Sequence, residues 1–312
     1  MKIGIPKYMF YQEYPLLHRF LSNLGIETIL SPRTNKAILE AGRDVALSEF
    51  CYPIKLYCGH VKYLREQSID KIFIPIITGH ENKTAFPCFS QIRIIDIIKN
   101  LEIAPDNLLL TAPFTYSDKG LLNEGFYELG GKLKKTKAEI DRALNMSIPE
   151  KQTPEKQTKG DVRTGSQLTI GIAGRQYVLH DTFTNMGVRQ KLINMGCRVV
   201  FGSLLPAPIE KQNIPSHFSM TTSVTQQIIN FDQNKTIDGI IYLQPFNCGP
   251  DCSVEMGVKS YGLNTPFMTV VIDELTTDTK ITTRIEAFVD MICNRQSLTL
   301  TSKALTSKAV AV

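Results

Sequence analysis

Short apolar runs alternate with stretches of helical period along most of the chain. MKIGIP reads as a short buried strand, YPLLHRFLSNLG as an amphipathic helix ending at Gly25, and IETILS as the next strand. PIKLYCGHVKYLRE is a second helix, followed by KIFIPII, a β-branched run of the kind that is covered on both faces. QIRIIDIIKNL is a third helix and NLLLTAP a further strand. After a polar break the alternation restarts, with strands at LTIGIAG, CRVVFGS, GIIYLQP and PFMTVVI and helices at TNMGVRQKLINMG and TRIEAFVDMIC. Alternating β and α units predict an α/β fold: two doubly wound, Rossmann-like domains with mostly parallel sheets.

The break is SIPEKQTPEKQTKGDVRTGSQ, residues 147–167, polar and carrying PEKQT twice. It reads as a linker between an N-terminal domain at 1–146 and a C-terminal domain at 168–295. Residues 296–312, which repeat LTSKA, show no helix or strand pattern and are expected to be a disordered tail.

Composition narrows the class. The chain has 312 residues, 43% hydrophobic and 21% charged, as an ordinary globular protein does. Its net charge of +5 is spread out, with KLKKTK the densest cluster, so nucleic acid is not an expected partner. No apolar run is long enough to span a membrane, and Pro6 and Lys7 interrupt the start of MKIGIPKYMFY, so a cytoplasmic protein is expected. Seven cysteines in a reducing compartment point to core thiols, metal ligands or catalysis rather than disulfides.

Three cysteines share one kind of position. Cys51 precedes Pro53, which suits a first helical turn; Cys88 precedes the run QIRIIDIIK; Cys248 ends a strand before Gly249-Pro250-Asp251 opens a helix. Loops at strand carboxyl ends line the crevice of an open α/β sheet. Helix N-termini there favour thiolates and other anions, among them a thiolate-held iron–sulfur cluster. Cys252 is a candidate further ligand, whereas Cys58, two turns beyond Cys51, reads as a buried structural thiol. Cys197 and Cys293 read as core or boundary residues.

With these residues in view, the chain resembles a known family. IGIPKYMFYQEYPLLHRFLSNLG, EFCYPIKLYCGHVKYL, FPC, IGIAGRQYVLHDTFTNMGVRQKL, FNCGPDC and VIDELTTDTKITTRIEAFVDMI are similar to proteins related to 2-hydroxyacyl-CoA dehydratase subunits. The nearer resemblance is to the branch called acyl-CoA dehydratase activase-related, or CoA protein activase. It implies an oxygen-labile [4Fe-4S] cluster, or a double-cubane variant, in the crevice between the domains, with Cys51, Cys88 and Cys248 as metal ligands. It also implies a separate ATP-hydrolysing activator as partner, a homo- or heterodimer, and acyl-CoA as a candidate substrate. Cys252 stands where relatives often have Ser, and the Gly-rich phosphate loops of an activator are absent from the sequence.

Other residues are candidates for the crevice. GIAGRQYVLHD lacks the full GxGxxG spacing, so a tight turn placing Arg175, Tyr177 and Asp181 is expected, either at a ligand or at a domain interface. Glu274, with Arg284 and Glu286 at the opening of the last helix, is either an acid–base or anchoring set or a response to the helix dipole. Lys55 either offsets cluster charge or is a solvated lysine, the second being the simpler expectation.

The expected function is that of an iron–sulfur protein taking low-potential electrons from its activator and passing them to an acceptor. One alternative is a 2-hydroxyacyl-CoA dehydratase-type subunit whose open iron acts as a Lewis acid. The other is a metal-free two-domain protein closing on a small ligand.

Overall fold

The computed structural model describes residues 1–10, 14–80, 86–117, 120–147, 167–202 and 218–309. The N-terminal domain alternates β1 (Lys2–Ile5), α1 (Tyr14–Asn23), β2 (Glu27–Leu30), α2 (Lys36–Val45), α3 (Tyr52–Arg65), β3 (Lys71–His80), α4 (Phe89–Ile92), α5 (Ile94–Asn100), β4 (Leu109–Ser117), β5 (Gly120–Leu121), α6 (Asn123–Lys132) and α7 (Lys137–Ser147). The C-terminal domain continues with β6 (Thr169–Gly174), α8 (Gln176–Leu179), α9 (Val188–Asn194), β7 (Arg198–Phe201), α10 (Ser219–Gln233), β8 (Gly239–Pro245), α11 (Cys252–Tyr261), β9 (Phe267–Ile272) and α12 (Asp278–Ala309).

The two sheets repeat one plan. Their orders are β2-β1-β3-β4-β5 and β7-β6-β8-β9. All pairings are parallel except the short β4–β5 hairpin. In each sheet the order reverses next to its first strand, between β1 and β3 and between β6 and β8, which is where α/β folds place ligands. Every residue of β6 is buried and only Gln244 of β8 is not, which explains their uninterrupted apolar sequences. One continuous apolar core extends from Ile3 and Phe73 of the first sheet to Ile172 and Leu243 of the second.

Several elements depart from the sequence reading. QIRIIDIIKNL breaks at Arg93, where φ −98° and ψ 16° separate α4 from α5. The helix read into TNMGVRQKLINMG begins only at Val188, because Met186 and Gly187 adopt left-handed backbone (φ 54° and 62°). The last helix opens at Asp278, so Arg284 and Glu286 lie beyond its first turn. It continues to Ala309, through residues read as an uncommitted tail; no Gly or Pro between 278 and 309 interrupts it. Residues 148–166, nearly all of the polar break, lie outside the described residues.

Helix α3 is fixed unusually closely. A Cβ on Gly42 of α2 would stand 2.0 Å from the Lys55 carbonyl oxygen, and one on Gly59 of α3 would stand 2.0 Å from that of Ile38. The two helices therefore meet backbone to backbone.

Candidate functional site

Each site cysteine sits at a helix entrance. Cys51 is the N-cap of α3, and its carbonyl accepts from the Ile54 and Lys55 amides at 2.9 and 3.2 Å. Cys88 caps α4 in the same manner, accepting from Gln91 and Ile92 at 2.9 and 3.1 Å. Cys248 lies in the turn between β8 and α11, after Asn247 with φ 56°, and its carbonyl accepts from the Asp251 amide at 3.1 Å.

Bonds between the domains bring these entrances together. The Tyr52 amide donates to the Phe246 carbonyl at 3.1 Å, joining the start of α3 to the Cys248 turn. The Asn247 side-chain amide donates to the Glu49 carbonyl in the same region. Phe86, two residues before Cys88, forms a parallel bridge with Phe218 and accepts from the Ser219 amide at 2.9 Å. Lys55 Nζ meets Glu274 Oε1 at 2.5 Å, tying the first turn of α3 to the end of β9.

The thiols feel one another. Burial pushes Cys51 up to about 11, with Cys88 and Asp251 adding to the rise and the Ile54 amide and Arg175 opposing it. Burial likewise pushes Cys248 up to about 12, against the influence of Arg175 and with Asp251 and Cys51 adding to it. Cys51 is thus within electrostatic reach of both other candidates. Cys58 is fully buried, up to about 12 through burial and then through Cys51. Cys252 is exposed, with its thiol directed at the Cys248 carbonyl at 3.7 Å.

The residues read as crevice candidates divide into two groups. Arg175 follows β6 directly and, with Cys248 beyond β8, occupies the two sides of the switch point in the second sheet. Tyr177 is buried against Tyr8 with ring centroids 5.5 Å apart, and burial raises its hydroxyl pKa while Cys248 and Cys51 act in the same direction. Asp181 accepts from Thr34 Oγ1 across the domains at 2.6 Å and from the Thr184 amide at 2.8 Å. Glu274 belongs to the same seam through Lys55. Arg284, by contrast, donates to the Thr269 carbonyl from an exposed face of α12, and Glu286 is exposed on that helix. Lys55 is buried, not solvated, because its α3 position faces the second domain.

Sequence reasoning passed over Asp251, Thr34, His60 and Met220. Asp251 had a visible signal, an acidic residue ahead of a helical run. Thr34 and His60 had none, since their partners are more than twenty residues away.

Among the described residues no three His, Cys, Asp or Glu side chains already stand together at metal-binding spacing. The chemistry of the three cysteines suits iron and sulfide all the same: one buried and two half-buried thiols, a guanidinium donating to one sulfur, and two domains contributing donors. A bound cation also removes the protons that burial retains on Cys51 and Cys248.

Residues 2–205 match the family described as the CoA enzyme activase uncharacterised domain (DUF2229). Among solved structures, glutamate racemase isoform RacE1 from Bacillus anthracis matches at 11% identity over 93% of this chain and 82% of that one. Its TM-score is 0.23, too low to bear on fold or function. No curated protein matches. Among the described residues no helix is long and apolar enough to cross a membrane.

Proposed function

The chain belongs to the CoA enzyme activase uncharacterised-domain family, and from that premise we propose that it is an iron–sulfur component of a CoA-enzyme activation system. In this reading Cys51, Cys88 and Cys248 hold a [4Fe-4S]-type cluster at the seam between the domains. What supports it is that three cysteines from separate segments stand at helix entrances tied together by bonds between the domains, with Cys51 within electrostatic reach of Cys88 and Cys248.

A cluster bound there would supply one-electron chemistry at low potential. The protein's own residues supply the setting. The α3 helix holds Cys51 rigidly because its first turn is clamped by the Lys55–Glu274 pair and its flank by the Gly42–Gly59 contact. Arg175 presents a donor to Cys248. Partial burial of Cys51 and Cys88 limits water at the site.

Electrons would come from a separate ATP-hydrolysing activator, and a CoA enzyme or other acceptor would receive them. The test is to mix anaerobically purified protein with such an activator, a low-potential reductant and ATP. Bleaching of the cluster's visible absorption only when ATP is hydrolysed is the expected result. Bleaching that ignores ATP, or a protein with no absorption to bleach, would refute the proposal.

A further inference from the structure

Arg175 is buried, at 4% exposure, and all three of its nitrogens are committed. Nε donates to both oxygens of Asp251 at 3.1 Å, and Nη2 donates to Asp251 Oδ1 at 2.5 Å. The same Nη2 reaches Cys248 Sγ at 3.5 Å, and Nη1 points at Met220 Sδ at 2.6 Å. Asp251 is fully buried at the N-cap of α11, three residues after Cys248. Two fully desolvated charges are expensive unless their geometry is satisfied, and a nonpolar pair of similar size is often as stable. Retention of an ion pair here therefore calls for a reason beyond packing.

The geometry points to Arg175 as the positioning residue that fixes Cys248 and donates a hydrogen bond to its sulfur, setting the affinity of the site for an added electron. Asp251 is its anchor: the carboxylate grips one edge of the guanidinium and so aims Nη2 at the sulfur. A donor to a ligating sulfur withdraws negative charge from it and favours the reduced state. The paired Asp251 cancels the net charge of the guanidinium, so the directed N–H is the feature that distinguishes this arrangement. This inference rests on the cluster reading above.

The experiment compares iron, acid-labile sulfide and midpoint potential in the wild type, the charge-neutral double variant Arg175→Met/Asp251→Asn, and Arg175→Lys. The double variant removes the donor without leaving a buried charge unpaired. Arg175→Lys keeps the charge but lacks the fork that serves Asp251 and Cys248 together. The expected result is wild-type iron content with a lower potential in both. For the double variant a roughly tenfold fall in the reduced-to-oxidised ratio is expected at the wild-type midpoint, about 59 mV for one electron. Full iron at an unchanged potential in both variants would overturn the role of Arg175 and leave the cluster intact. A folded wild type without iron or sulfide would instead overturn the cluster reading itself, and this inference with it.

Discussion

Thr34 of the N-terminal domain donates its hydroxyl proton to Asp181 of the C-terminal domain, with Oγ1 and Oδ2 2.6 Å apart. That bond sets the direction of a longer chain. With its only proton given to Asp181, Thr34 accepts from His60 Nε2 at 3.2 Å. His60 Nδ1 then accepts from the Ser31 hydroxyl at 2.8 Å, and Ser31 Oγ accepts from the Lys7 amide at 2.7 Å. Burial keeps His60 neutral at neutral pH, and the bond to Thr34 then puts its proton on Nε2. Replacing Thr34 with Val should cost about 1.5–3 kcal/mol, the range for a bond to a charged acceptor, in urea unfolding. A change under about 0.5 kcal/mol would mean that the domains are held without this bond.

His60 makes the same chain sensitive to acid. Burial first, and Lys7 second, depress its pKa from 6.5 to about 3. Unfolding restores the ordinary value, so below about 6.5 the unfolded chain binds a proton that the folded protein excludes. The stability that His60 contributes is complete above 6.5 and is lost as pH falls towards 3. The expected slope is about 1.4 kcal/mol per pH unit between pH 6 and 4. His60→Gln should flatten that part of the profile by about one proton's worth, and an unchanged slope would show that His60 titrates normally.

Lys55 and Glu274 form a buried pair, with side chains 5% and 14% exposed. Glu274 Oε2 is buried without a hydrogen-bond partner among the described residues, so Glu274 depends on Lys55 for compensation. Lys55→Met should therefore destabilise by about 3–5 kcal/mol, whereas Lys55→Met/Glu274→Gln should recover much of that loss. A double-mutant cycle measures the difference. Additive effects would show that the two groups are not coupled.

The backbone contact at Gly59 leaves no room for a methyl group. Gly59→Ala should lower stability by at least about 1–3 kcal/mol, since the atom it meets is the Ile38 carbonyl rather than a flexible side chain. Thermal unfolding provides the check, and a neutral outcome would mean that α2 and α3 separate readily.

The alternating strands and helices were legible because β1, β6 and β8 are central and nearly wholly buried, and central β3 is buried from Ile72 to Pro75, which writes continuous apolar runs into the sequence. The helix-entrance positions of Cys51, Cys88 and Cys248 were legible for a local reason, the prolines and apolar runs beside them. Lys55 was misread because a lysine's burial is decided by its partner, and Glu274 is 219 residues away. The Arg175–Asp251 pair was half visible: Arg175 stood out beside the glycines after β6, but nothing local to the sequence joins it to Asp251, 76 residues on. α2 passed unread although Asn35 caps it by accepting from the Ile38 amide, because its short apolar face is interrupted by Gly42.

Iron and acid-labile sulfide per chain, measured after anaerobic purification, test the central claim most directly. The samples are the wild type and the variants Cys51→Ser, Cys88→Ser and Cys248→Ser. About four irons and matching sulfide in the wild type, lost in each variant while the fold is kept, is the predicted result. A well-folded wild type without iron, or iron that survives all three substitutions, would contradict it.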